Sequence, residues 1–213
     1  MPPPDTLRRM ADFLDLRFFG SVFVTLIVII DPPGAVPIFL GLVGNRPAKE
    51  RARLALQATL TSFAVIVLFA VLGEQVLRYL SISLPSLQAA GGLLLLLLSL
   101  KLLTGEESHS NEEENVNVAL VPLGTPLLAG PGGIVATILF ARQAEGEPRY
   151  VALALAVIAI HLVIWAALRF SGAIARLLGE SGISMLNRIF GLLLAAIGVQ
   201  LVADAVFGFI AAS

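Results

Sequence analysis

The chain has 213 residues, 57% of them hydrophobic and only 14% charged, with a formal net charge of −1. That charged share is about half the share found in soluble domains, and a mean hydropathy of +0.91 fits a chain dissolved in lipid better than one that must keep a polar surface in water. The balanced charge excludes a basic nucleic-acid-binding face, and the lack of cysteine excludes disulfides, thiolate metal sites and thiol catalysis.

Residues 1–17 form a leader unlike a signal peptide: Asp5, Asp12 and Asp15 interrupt it, and no small-residue cleavage site follows an apolar run. Leu7, Met10, Phe13, Leu14 and Phe18 recur at helical spacing, as in an amphipathic helix at the membrane interface; a polar leader without structure is the alternative. Beyond it, six windows reach the roughly 20 apolar residues of a membrane-spanning helix: 18–43, 52–73, 84–104, 119–141, 150–170 and 185–211. The acidic stretch GEESHSNEEENVN begins at 105 and makes 105–118 a solvated loop. It divides a three-helix unit over 18–104 from another over 119–211. Six spans leave both termini on one side, with 6 Lys and Arg residues there and 8 on the other, including Arg46, Lys49, Arg51 and Arg53. That split favours termini outside.

The first window is interrupted by DPPGAVP at 31–37 and the fourth by GPGG at 130–133, both near mid-span. Proline removes an amide donor and glycine loosens the backbone. Backbone groups freed in lipid each cost several kcal/mol, by order of magnitude, unless protein or trapped water satisfies them. Helices 1 and 4 are therefore expected to be broken at mid-membrane, with the breaks facing each other in the interior. Ordinary proline kinks are the competing account. Asp31 precedes a proline-started helix and suits an N-cap; as an ionisable group at mid-membrane depth it is equally suited to receive a substrate ammonium.

The two units resemble each other. DPPGAVPIFLGLV lies over AGPGGIVATILFA at an offset of 98, pairing Pro33 and Gly34 with Pro131 and Gly132. LQAAGGLLLLLLSLKLL lies over LNRIFGLLLAAIGVQLV at an offset of 99, pairing Gly92 with Gly191 and Gln88 with Asn187; Gly73 and Gly172 pair as the ends of helices 2 and 5. An odd number of spans in each unit makes the duplication an inverted-topology repeat, as in many secondary transporters.

Other polar residues lie inside the spans. His161, near the centre of helix 5, is either a hydrogen-bonded packing residue or a proton carrier. Gln88 and Asn187 are expected to hydrogen-bond near the membrane interface, and Asp204 to be an interfacial group or a second buried acid. Thr125 and Thr137 flank the second break and line either a cavity or a helix contact. No HExxH, GxSxG or P-loop pattern occurs, and His109 and His161 are too far apart to suggest a metal site. An enzyme is not expected, nor a cofactor or a metal.

IDPPGAVPIFLGLV, VPLGTPLLAGPGGIVATIL and RIFGLLLAAIGVQLVADAV together resemble the MarC family of bacterial and archaeal inner-membrane proteins, whose members include the neutral amino acid transporters of the SnatA group. The resemblance covers about residues 18 to 207, and PLLAGPG is its most specific piece. It implies six helices and proton-coupled movement of glycine, alanine and similar amino acids. The chain departs from the family in carrying Asp31 where Asn is frequent, which weighs against Asp31 as proton carrier, and in Gly124-Thr125 ahead of the second break.

The combined expectation is an all-α polytopic membrane protein of six transmembrane helices, built as two inverted three-helix repeats. It would be a secondary active transporter of small neutral amino acids in a bacterial or archaeal plasma (inner) membrane, with a zwitterionic substrate, protons as coupling ion and the lipid bilayer as surroundings. Asp31, Pro33, Gly34, Thr125, Gly130, Pro131, Gly132 and Gly133 are the candidate substrate-binding residues, and His161 with Asp31 a proton or polar relay. A channel or facilitator for a small neutral solute or ion is the alternative, and a membrane scaffold with incidental kinks a third. The oligomeric state is left open.

Overall fold

The computed structural model describes residues 15–104 and 128–212, together with no strand among them. The leader over 1–14 and residues 105–127, which hold the acidic loop, the start of the fourth window and Thr125, lie outside the described residues. Among the described residues seven helices follow in order: α1 Leu16–Ile30, α2 Pro32–Val43, α3 Ala48–Tyr79, α4 Leu84–Thr104, α5 Pro131–Gln143, α6 Glu147–Arg169 and α7 Ser171–Ala212. Helix α7 is interrupted at Gly179, whose φ of 62° and ψ of 177° are not helical.

Among the described residues five stretches are long and apolar enough to cross a membrane: Leu16–Val43, Ala48–Tyr79, Leu84–Thr104, Glu147–Arg169 and Ser181–Ala211. The remaining expected span, 119–141, is described only from residue 128. Its described helix, α5, has 13 residues, about 20 Å of rise, short of the roughly 30 Å hydrocarbon layer.

The broken segment α1–α2 sits at the centre. Of an 18-residue apolar window within Leu16–Val43 61% is buried, against 22% for the corresponding windows of Leu84–Thr104 and Ser181–Ala211. Val22, Leu26, Val36 and Phe39 are fully enclosed, and α1 and α2 pack on α6 and α7. Helices α4 and α7 form an outer antiparallel pair whose lipid-side residues include Leu93, Leu97, Leu192 and Phe207. Glycine lets this pair close up: a Cβ on Gly92 falls 2.6 Å from the Gly198 carbonyl oxygen, and a Cβ on Gly191 falls 3.3 Å from that of Ser99.

Gly73 does not end helix 2 as the repeat alignment suggests. Helix α3 runs on to Tyr79, because Gly73 is the place where α5 crosses: a Cβ there falls 2.5 Å from Ile138 Cγ1. Its aligned counterpart Gly172 is the second residue of α7.

One polar knot fixes the near end of the bundle. The Phe18 N–H donates to Asp15 Oδ1 at 2.9 Å, capping α1, and Arg149 Nε donates to Asp15 Oδ2 at 3.2 Å. Arg149 also donates to the Gln143 carbonyl at 3.2 Å and lies 5.5 Å from the Phe18 ring centre. The starts of α1 and α6 and the end of α5 are thereby joined. The Phe18 N–H above all holds the Asp15 carboxyl below its ordinary value of 3.8; desolvation opposes it, and the Arg149 guanidinium adds smaller lowering effects. A depressed carboxyl pKa contributes stability that is present above the unfolded value and is lost as pH falls through the folded one. The wild type should therefore melt above Asp15→Asn at neutral pH, and the gap should close below about pH 4; thermal unfolding of both proteins in detergent across pH checks this.

Candidate functional site

At the first break Asp31 adopts a left-handed conformation, φ 49° and ψ 68°, which aspartate tolerates better than most side chains. That geometry lets one residue finish α1 and start α2. Its N–H donates to the Ile27 carbonyl at 3.1 Å, and its own carbonyl accepts from the Ala35 N–H at 3.0 Å. Its Oδ1 accepts from the Gly34 N–H at 3.2 Å. Pro32 and Pro33 have no amide to leave unpaired, so the start of α2 is closed. Asp31 is only 7% exposed.

The second break is built differently. Gly130 caps α5 with φ −52° and ψ 161° and supplies no side chain. Its carbonyl accepts from the Ile134 N–H at 3.1 Å, and Pro131 has no amide. The N–H groups of Gly132 and Gly133 are left with no acceptor among the described residues. An uncapped helix start of this kind presents partial positive charge and two donors, a receptor for an anionic group.

The breaks adjoin. A Cβ on Gly132 falls 3.3 Å from Ile29 Cγ2 and overlaps Leu95 Cδ2, while a Cβ on Gly133 falls 3.9 Å from Ile30 Cγ1 and 3.6 Å from Ile66 Cδ1. The start of α5 is therefore seated on the last turn of α1, next to Asp31. The caps Asp31 and Gly130 stand 99 residues apart, with Pro32 and Pro131 each opening a helix. The structural register is thus one residue from the offset of 98 that pairs Pro33 with Pro131. Gly132 lacks a side chain because Leu95 fills that space; Gly133 has room for a methyl group.

Asp31, Gly34, Gly132 and Gly133 are buried around this contact, whereas Pro33 and Gly130 are half-buried and Pro131 is exposed. Thr125 lies outside the described residues. Thr137 lines no opening: it is fully buried and its Oγ1 donates to the Gly133 carbonyl at 2.7 Å. Asp204 is exposed, and Gln200 Nε2 donates to its Oδ1 at 2.8 Å, so it is not a second buried acid.

His161 is 4% exposed and lies between α3 and α6. Its Nδ1 is 2.7 Å from the Val157 carbonyl, which makes Nδ1 the protonated nitrogen and Nε2 an acceptor. Nε2 is 3.2 Å from Ser62 Oγ, a fully buried hydroxyl 99 residues away in sequence. Phe63 packs edge-on at 5.2 Å. Both ring nitrogens are occupied, so relaying a proton through His161 requires one of these bonds to open.

Asn187 is the residue that sequence reasoning misplaced. Expected near the interface, it is half-buried against the first break, with Oδ1 3.4 Å from the Cβ position of Gly34. That oxygen is buried and has no hydrogen-bond partner among the described residues. Its pairing with Gln88 in the internal repeat was a signal of a polar position, but not of its neighbour.

The family profile described as "MarC family integral membrane protein" matches residues 16–210. A UPF0056 membrane protein of Methanocaldococcus jannaschii is 35% identical over 202 residues, covering 92% of this chain and 98% of that protein. A UPF0056 membrane protein of Archaeoglobus fulgidus is 36% identical over 196 residues, covering 89% and 92%. The UPF0056 inner membrane protein MarC of Citrobacter koseri is 35% identical over 208 residues, covering 89% and 94%. No solved structure matches the chain.

Two outcomes follow from the packing. Gly133→Ala should leave the melting temperature near that of wild type, whereas Gly132→Ala should lower it, because a methyl group there meets Leu95; parallel thermal unfolding of the two variants decides it. Ser62→Ala should destabilise by about 1–3 kcal/mol, the usual loss when a buried acceptor such as His161 Nε2 is left unpaired, measured by unfolding in mixed micelles.

Proposed function

The chain belongs to the MarC family of integral membrane proteins, and from that premise we propose that it is a secondary active transporter of small neutral amino acids, coupled to protons. The observation that carries this reading is the seating of the α5 start on the last turn of α1 beside Asp31. Two chemically opposite receptors thereby share one interior level. The amides of Gly132 and Gly133, without an acceptor among the described residues, suit a carboxylate, and the buried carboxylate of Asp31 suits an ammonium. A zwitterion satisfies both, and the crowding of Gly132 by Leu95 and Ile29 leaves room for a small one, glycine or alanine.

Alternating access in this reading comes from two inverted three-helix repeats rocking on each other. Three observations support the repeats. The two helix caps are 99 residues apart, and so are the hydrogen-bonded Ser62 and His161. The contact of Gly92 with Gly198 has its counterpart, under the same offset, in that of Gly191 with Ser99. When two units are related by a two-fold axis, position i meets position j of the other unit while j meets i, and positions on the axis meet their own equivalents. Coupling to protons falls to Asp31 and His161, the ionisable residues buried among those described.

Purified protein in proteoliposomes should take up radiolabelled glycine with saturation, faster under an inward proton gradient than without one. Rapid flux that does not saturate would point instead to a channel, and the absence of any flux of glycine or alanine would overturn the transporter reading.

A further inference from the structure

We infer that Asn187 is a substrate-contacting residue, its Oδ1 joining Asp31 Oδ2 to form a two-oxygen seat for a primary ammonium group. The inference rests on the transporter reading above and deepens it. Both oxygens stand over the same bare face of Gly34: a Cβ built there falls 3.4 Å from Asn187 Oδ1 and overlaps Asp31 Oδ2. Both lack a donor among the described residues. Asp31 Oδ1 is taken by the Gly34 N–H, and no other amide of the first turn of α2 is available, since Pro32 and Pro33 have none. Asn187 Oδ1 is buried and unpartnered. Two converging acceptors, one of them the carboxylate of a residue only 7% exposed, call for a group rich in donors that carries positive charge and no acceptor. A primary ammonium, with three N–H donors, is that group. A substrate carboxylate at the same place would meet two lone-pair oxygens and be repelled. The seat therefore orients the zwitterion, ammonium toward Asp31 and Asn187, carboxylate toward Gly132 and Gly133. It also recruits α7, the helix that carries Asn187 and packs on α2, into the binding site.

Glycine uptake in proteoliposomes, with glycolate as competitor, tests this, because glycolate keeps the carboxylate and replaces the ammonium by a hydroxyl. Asn187→Leu should raise the KM for glycine by about tenfold or more and shrink the advantage of glycine over glycolate by a similar factor. Asn187→Asp retains an oxygen in place and should keep the KM within about twofold of wild type. If the leucine variant fails to insert, Asn187→Ala carries the same expectations. An unchanged KM and unchanged selectivity in the leucine or alanine variant would overturn the seat while leaving the transporter reading intact. A lower maximal rate at unchanged KM would also overturn it, assigning Asn187 to packing. Wild-type protein that moves no glycine overturns the transporter reading and the seat with it.

Discussion

Hydrocarbon offers no hydrogen bonds, so every peptide group at membrane depth must find its partner inside the protein, at a penalty of several kcal/mol, by order of magnitude, for each that does not. An unbroken helix meets this condition by itself. This chain breaks two helices, at Asp31 and at Gly130, and the arrangement of the remaining helices follows from having to enclose those breaks. Helices α1 and α2 occupy the centre, α6 and α7 pack on them, and α4 presents Leu93 and Leu97 to lipid. The start of α5 packs against the last turn of α1 and against Leu95 and Ile66 of α4 and α3.

The two breaks meet the same constraint by opposite means. Asp31 uses its own N–H, carbonyl and carboxylate to terminate one helix and open the next, and two prolines remove the amides that would otherwise be unpaired. The first break is thus closed to further backbone ligands and contributes charge. Gly130 has no side chain with which to cap, so the second break leaves two amides without an acceptor among the described residues. Under the proposed transport function, a negative pole at one break and a positive pole at the other discriminate by polarity along the site, which a pair of identical breaks would not do.

Close packing between the halves relies on small residues and buried polar bonds, not on hydrophobic driving force, which is absent between helices in lipid. Gly92 and Gly198 bring α4 and α7 to backbone contact, and Ser62 with His161 joins α3 to α6 through a bond that also holds the imidazole in one tautomer. The 99-residue spacing recurs in these contacts, as the proposed repeat of the two halves requires.

Much of this protein was determined locally. The membrane-spanning stretches follow from runs of apolar residues, and the breaks from proline and glycine, whose effect on φ and on amide donors does not depend on surroundings. The capping role of Asp31 also needs nothing beyond the residues that follow it. The tertiary structure decided what depends on which helices meet. Gly73 looked like a terminus and proved to be a crossing point, since glycine serves both purposes and only the arrival of Ile138 distinguishes them. Gly132 looked like part of a site, and its missing side chain is explained as well by Leu95. The register between halves moved from 98 to 99 because a helix is counted from its cap rather than from its most conspicuous proline. Asn187, 156 residues after Asp31 in the sequence, meets the first break only through the packing of α7 on α2, a juxtaposition that no local pattern encodes.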